Sequence, residues 1–362
     1  MDIRVISGEG TLDTIGEAAC ACGMSRALIV ADRGIVEAGF VARAARVLRE
    51  SSVAPYFFHD FGANPDTDMV EAGRVRAAAD EIDGIIAIGG GSSLDCAKGI
   101  NFVLTNGGSM RDYRGHGKAT KPMLPSIGVP TTAGTGSEAQ SFAIISDAET
   151  HAKMACGDRK AAFRLVILDP SLTVTQPREV TAVTGYDAIS HAVEAFVTRT
   201  RTAESQALAL AAWNLLEPNY ERVLQTPGDL AARNAMLVGA NRAGAAIELS
   251  MLGATHACAN PLTARYGIAH GVAIAVMLSH VVRWNADVVG DLYTTFWPSG
   301  DLPARLDRLA RAGGLPRKLR EIGASRDDFD RLAADAATQW TGQHNPQPFD
   351  ARAARELYET AF

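Results

Sequence analysis

Two of the eight histidines in this chain, His256 and His270, bracket the short stretch HACANPLTARYGIAH. A second pair lies earlier, in GYDAISHAVEAF, where Asp187 and His191 stand four residues apart on a helical pattern and so share a face. The neighbours on that face are small or apolar, which predicts burial. An isolated buried carboxylate is costly unless something positive meets it. A divalent cation would satisfy both side chains. Asp187, His191, His256 and His270 together would supply one carboxylate and three imidazoles, a donor set suited to Zn²⁺ or Fe²⁺. Spacing alone leaves another reading open, because a histidine on an apolar helix is more often a packed core residue. His280 is read that way, as packing or interface.

Two glycine-rich loops carry a second kind of chemistry. GGGSS (89–93) follows an apolar run and opens a helical one. Glycines let a backbone approach a ligand closely, and the free N–H groups of a helix start favour an anion such as a pyrophosphate. The spacing is not GxGxxG, so a tight strand-to-helix turn explains it equally well. PTTAGTGSE (130–138) is a similar loop, whose Thr131, Thr132, Thr135 and Ser137 could offer hydroxyls to phosphate, ribose or carboxamide. Asp32, at the end of an earlier apolar run, is placed to accept from an adenosine ribose. Its charge would repel a 2′-phosphate and favour NAD over NADP, although Arg33 beside it weakens that exclusion and Asp32 could simply start a turn.

The elements that must position these groups can be read from pattern. ALIVAD (27–32), VAPYFF (53–58), GIIAIGGG (84–91), PSIGVPTT (125–132) and FRLVILDP (163–170) read as strands, with helical patterns between the first of them. Strand–helix alternation predicts a mostly parallel sheet with helices on its faces. After about Pro177 the texture becomes long, alanine-rich and helical, with no convincing strand. LAARNAMLVGANRAGAAIELSMLGATHACA reads as one long helix that His256 ends. The expected organisation is an α/β, Rossmann-like nucleotide-binding domain over residues 1–177, followed by an all-α metal- and substrate-binding domain over 178–362.

Composition narrows the class. The chain is 47% hydrophobic and 21% charged, with a net charge of −6. These values suit a globular enzyme and, without a basic stripe, exclude a nucleic-acid binder. No apolar run reads as long enough to span a membrane, so no membrane partner is expected. The N-terminal MDIRVISGEG lacks a basic-then-apolar leader, and five scattered cysteines fit a reducing compartment, so the expected location is the cytoplasm.

GGGSSLDCAK, PTTAGTGSE, GYDAISHAVEAF and HACANPLTARYGIAHGVA, in this order and at these separations, resemble the iron-containing (group III) alcohol dehydrogenases. The resemblance spans nearly the whole chain. It implies a cleft between the two domains, and reversible hydride transfer between NAD(P) and a small alcohol or aldehyde. It implies Asp187, His191, His256 and His270 as ligands of Fe²⁺ or Zn²⁺, Gly89, Gly90, Gly91 and Ser92 as the pyrophosphate loop, and Thr131, Thr132, Thr135 and Lys153 as cofactor contacts. It also implies Asp32 as the residue that selects NAD, and a homodimer. Asn260 and His270 fall in the catalytic part of the site. Asn260 stands where the family often has a second histidine near the nicotinamide. An amide cannot titrate, so it could orient substrate but not relay a proton, and a helix cap before Pro261 is the alternative. Phe142, Ile247 and Glu248 fall near substrate-lining positions, with unusual residues there. A lyase of the dehydroquinate synthase type and a metal-independent maleylacetate reductase share the plan, but the aspartate with three histidines argues against both.

Overall fold

The computed structural model describes residues 3–362. It divides into two compact units: the first runs to Thr132 and takes in Gly136–Thr175, and the second comprises Ala133–Thr135 and Gln176–Phe362. Sequence texture placed the boundary at 177. The structure changes units at 175 and, in addition, gives three residues of the second glycine loop to the helical unit.

Among the described residues, the first unit has nine strands: β1 (Arg4–Ser7), β2 (Arg26–Val30), β3 (Ala54–Phe58), β4 (Gly84–Gly89), β5 (Gly115–His116), β6 (Ser126–Pro130), β7 (Phe142–Ser146), β8 (Lys153–Gly157) and β9 (Leu165–Leu168). Its helices are α1 (Ile15–Ala21), α2 (Arg33–Glu37), α3 (Phe40–Glu50), α4 (Thr67–Ala79) and α5 (Gly91–Asn106). Six strands form one parallel sheet in the order β1-β9-β6-β4-β2-β3. The central strands β4, β6 and β9 are buried along their whole length. That burial on both faces is why GIIAIG and LVIL read as continuous apolar runs rather than alternating ones. In α3, Val41, Ala44, Ala45 and Leu48 recur three and four apart and turn inward.

Two features escaped the sequence pattern. β1 is an edge strand with three of its four residues exposed, so RVIS shows no apolar face. The second sheet, β5-β8-β7, is built from strands of two to five residues around an antiparallel β7–β8 pair, too short to stand out beside the long central runs.

The order of the main sheet sets where a ligand could bind. From β2 the chain moves outward to β3, then returns to lay β4 on the other side of β2. This reversal opens a crevice beyond the C-terminal ends of β2 and β4, the place where open α/β sheets bind ligands. Asp32 follows β2, and Gly89–Ser92 follow β4.

The second unit contains no strand among the described residues. Its helices are α6 (Arg178–Val197), α7 (Ala203–Gln225), α8 (Leu230–Ser250), α9 (Ala254–Tyr266), α10 (His270–Phe296), α11 (Leu302–Gly313), α12 (Phe329–Ala337) and α13 (Ala351–Thr360). Helix α6 is central: every residue from Gly185 to Val197 is buried. Gly185 lets it pack closely, since a Cβ there would come within 2.9 Å of the Tyr220 ring. Helix α10 corrects one expectation. It is long and apolar enough to cross a membrane by length and composition, but 61% of its apolar window is buried inside the fold, as a core helix would be. A second correction concerns His256. The helical run does not continue through it: α8 stops at Ser250, Met251 takes a φ of 64°, and α9 starts afresh at Ala254. His256 therefore lies in the first turn of a new helix.

Asp169, fully buried after β9, shows how the first unit closes. It accepts the N–H groups of Gly10 and Leu12, each at 3.1 Å, and the N–H and hydroxyl of Ser171 at 3.0 and 2.7 Å. Asp169→Ala would leave those donors without an acceptor. A loss of roughly 2–4 kcal/mol is expected in urea unfolding.

Candidate active site

The second unit brings all four sequence-predicted ligands together. Asp187 and His191 lie one turn apart on α6, His256 is in the first turn of α9, and His270 opens α10. The Nε2 atoms of His191, His256 and His270 lie 3.5, 3.6 and 3.9 Å from Asp187 Oδ1. The His191 and His256 rings stack with centroids 5.0 Å apart, and His256 and His270 follow at 5.3 Å. Asp187, His191 and His256 are buried, and His270 is half-buried.

These distances are too long for good hydrogen bonds. Among the described residues, Asp187 Oδ1 and His256 Nε2 are buried with no hydrogen-bond partner. Spacing of this kind is what ligands of one ion show: two donors about 2.1 Å from a tetrahedral cation sit about 3.4 Å apart. Donor atoms of Asp187, His256 and His270 all lie within 4.8 Å of one another. The orphaned atoms and the donor chemistry therefore fit a divalent cation.

The electrostatics agree. Burial alone would raise the Asp187 carboxyl, but the three imidazoles hold it well below the usual carboxylate range. Burial pushes His191 down and prevails over the pull of Asp187. At His256 burial is outweighed by Glu194 and Asp187, which together push the imidazole up to about 9. A buried pocket with two carboxylates calls for positive charge.

The first unit assembles the nucleotide loops. Gly89 has a φ of 148°, and a Cβ there would meet Ser93 Oγ at 2.3 Å, so only glycine serves. Gly90 precedes α5, Gly91 is its first residue and Ser92 follows, with Ser92 Oγ accepting the Asn64 N–H at 3.2 Å. Asp32 caps α2 through the Ile35 N–H at 3.1 Å and also accepts from Ser93 Oγ at 3.3 Å. The turn-starting role and the position beside the glycine loop are thus both real. Thr131 donates its N–H to Gly89 O at 3.0 Å, and Thr132 lies against Gly90. Thr135 belongs to the helical unit, and Lys153 is the exposed first residue of β8. Two members of this region were not singled out from sequence: Asp95 and Lys98 of LDCAKG. The buried Lys98 Nζ donates to Ser137 O at 2.6 Å and Phe142 O at 2.7 Å, while Asp95 accepts from the Ser137 hydroxyl and the Ile144 N–H. This cluster ties the second loop to α5. Its signal was the i, i+3 pairing of opposite charges in an otherwise apolar helix.

Comparison with known proteins decides the family. The sequence model described as "Iron-containing alcohol dehydrogenase" matches residues 3–170, and "Fe-containing alcohol dehydrogenase family, C-terminal" matches residues 181–362. The chain belongs to the iron-containing alcohol dehydrogenase family. It is 35% identical over 350 residues to alcohol dehydrogenase 4 of Schizosaccharomyces pombe, which covers 94% of this chain and 83% of that protein. It is 31% identical to the NAD-dependent methanol dehydrogenase of Bacillus methanolicus over 94% of this chain and 93% of that one. A solved 1,3-propanediol oxidoreductase superposes with a TM-score of 0.95 at 30% identity, covering 99% of this chain and 98% of the other. As a member of this family, the chain is an oxidoreductase acting on an alcohol–aldehyde pair.

In this dehydrogenase, Asn260 is not a helix cap. It sits inside α9, and its Nδ2 donates to Gln339 Oε1 at 3.0 Å. Phe142 stands on β7 beside His116, while the buried Ile247 and half-buried Glu248 are on α8. Glu194 was missed in sequence. It lies one turn after His191, continuing the stripe 187, 191, 194 along α6, and its Oε2 is 2.5 Å from His256 Nδ1. The i, i+4, i+7 periodicity was the available signal.

His270→Ala should weaken divalent-cation binding at least a hundredfold and abolish turnover with it, as measured by metal analysis and NADH absorbance on one sample. Full activity in a metal-depleted variant would contradict the assignment.

Proposed function

We propose that this enzyme transfers a hydride reversibly between NAD(H) and a small alcohol or aldehyde, with Fe²⁺ or Zn²⁺ held by Asp187, His191, His256 and His270. The observation that carries the reading is the Asp187 Oδ1 atom, buried without a hydrogen-bond partner and faced by three imidazole nitrogens at 3.5–3.9 Å. Bound there, the cation would supply Lewis-acid polarisation of the substrate oxygen, and the nicotinamide would exchange the hydride. The chain's own residues supply the rest. The imidazoles must each present a bare nitrogen, and burial of Asp187, His191 and His256 keeps water from the charges.

Asp32, joined to the glycine loop through Ser93, supports a preference for NAD, since a 2′-phosphate beside that carboxylate would meet like charge. The NAD-dependent name of one relative points the same way. Asn260 holds no titratable proton and has its amide nitrogen on Gln339, so the proton of the alcohol must leave by another carrier. Names among the relatives include methanol, 1,3-propanediol and lactaldehyde enzymes, which supports a short-chain substrate as a class. Five free cysteines favour a reducing compartment, which supports a cytoplasmic location, and the family resemblance supports a homodimer.

NADH absorbance with a panel of aldehydes, alcohols and polyols, before and after chelation, tests the reading. Activity should disappear on chelation and return with Fe²⁺ or Zn²⁺. Asp32→Gly should shift the NADP-to-NAD ratio of kcat/KM by about tenfold or more, equivalent to about 1.4 kcal/mol. An unchanged ratio would exclude the selective role. Asn260→His should introduce a new ionisation near neutral pH into the kcat profile. Superimposable profiles would mean this position does not govern proton delivery.

A further inference from the structure

The carboxylate of Glu194 serves two residues of α9 at once. Its Oε1 accepts the Thr255 N–H at 2.7 Å, and its Oε2 lies 2.5 Å from His256 Nδ1. Thr255 is the second residue of α9, so its N–H is one that a helix start leaves without an intrahelical acceptor. The first N–H, from Ala254, goes to Asn345 Oδ1 at 3.1 Å. Asn345 exchanges two hydrogen bonds with Asn285, at 3.0 and 2.8 Å, and donates to Gln347 O at 2.9 Å. The side-chain amide of Asn345 is thereby saturated. Gly253 completes the arrangement, since a Cβ there would lie 2.9 Å from Asn345 Oδ1 and 3.0 Å from Glu194 Oε1. Glu194 is on α6, with Asp187 and His191, and Asn285 is on α10, which His270 opens. The start of α9 is therefore held by side chains from both other ligand-bearing helices, directly from α6 and through Asn345 from α10.

We propose that Glu194 is a positioning residue that fixes which nitrogen of His256 carries the proton, an inference that rests on the metal-centre reading above. A carboxylate can only accept, so a neutral His256 facing it must carry its proton on Nδ1. Once His256 has given up its second proton to ligate, Nε2 offers its lone pair on the side of Asp187 Oδ1, 3.6 Å away, where the cation would sit. Partners of this kind orient a ligating imidazole and raise its basicity. The competing role is a helix cap alone, through Thr255.

Glu194→Gln separates the two, because glutamine keeps the size of the side chain. With its Oε1 still on the Thr255 N–H, its Nε2 points a proton at His256 Nδ1 and moves the imidazole proton to Nε2, which can then no longer ligate. Turned the other way, it loses the Thr255 bond. Metal-free wild type and E194Q would be titrated with Zn²⁺ against a chromophoric chelator, and both would be melted without metal. E194Q is expected to bind Zn²⁺ about 10- to 100-fold more weakly, with a metal-free melting temperature close to wild type. Equal affinity in two folded proteins overturns the proposal. A wild type that binds no Zn²⁺ brings down the metal-centre reading instead. Should E194Q not fold, histidine-selective ¹⁵N NMR of the Zn²⁺-loaded wild type decides. The expected signature is a strongly deshielded His256 Nδ1–H with coordination at Nε2, and coordination at Nδ1 overturns the proposal.

Discussion

The helical unit is organised around one buried carboxylate oxygen, Asp187 Oδ1, that has no hydrogen-bond partner. Asp187 sits on the most buried helix of the chain, where a carboxylate without a counter-charge would be strongly disfavoured. The nitrogens around its Oδ1 stand back by 3.5–3.9 Å, farther than hydrogen-bond partners would. Much of the local structure follows from keeping those nitrogens in place. The break after α8, with a positive φ at Met251, ends one helix so that His256 can ride the first turn of the next. Backbone in a sparsely populated region next to a ligand-bearing turn is a common way for a functional site to hold its geometry.

The α/β unit meets a different constraint, that of bringing two glycine-rich turns and an acidic side chain together at the strand ends of one sheet. Reversal of the strand order between β2 and β4 sets Asp32 and the Gly89–Ser92 loop beside each other, and Ser93 links the two. Burying Lys98 among carbonyl oxygens, with Asp95 nearby, braces the second loop without presenting a free charge to the nucleotide.

Asn260 is where this enzyme departs from the histidine often found in its family. Its amide is engaged with Gln339, which keeps the position polar and ordered while removing a titratable group. The side chains around Asp187 and the amide of Asn260 are thus distinct features of the helical unit: the first gathers carboxylate and imidazole groups, the second is engaged with Gln339.

The amino-acid sequence by itself determined the fold class, the strands of the sheet centre and the helical second half, and it offered Asp187, His191, His256 and His270 as candidate ligands. These are properties of periodicity and residue type, and burial on both faces makes β4 and β9 legible as unbroken apolar runs. Edge strand β1 was not legible because three of its four residues are exposed, and the small β5-β8-β7 sheet was not because its strands are only two to five residues long. Tertiary structure alone decided that His191, His256 and His270 surround Asp187 Oδ1, since 69 positions separate Asp187 from His256 and spacing carries no information at that range. It alone also revealed that Glu194, whose place on the 187, 191, 194 stripe of α6 was legible, and Asn345 hold the start of α9. Both make their contacts across helices, and a hydrogen bond between distant segments leaves no trace in local pattern.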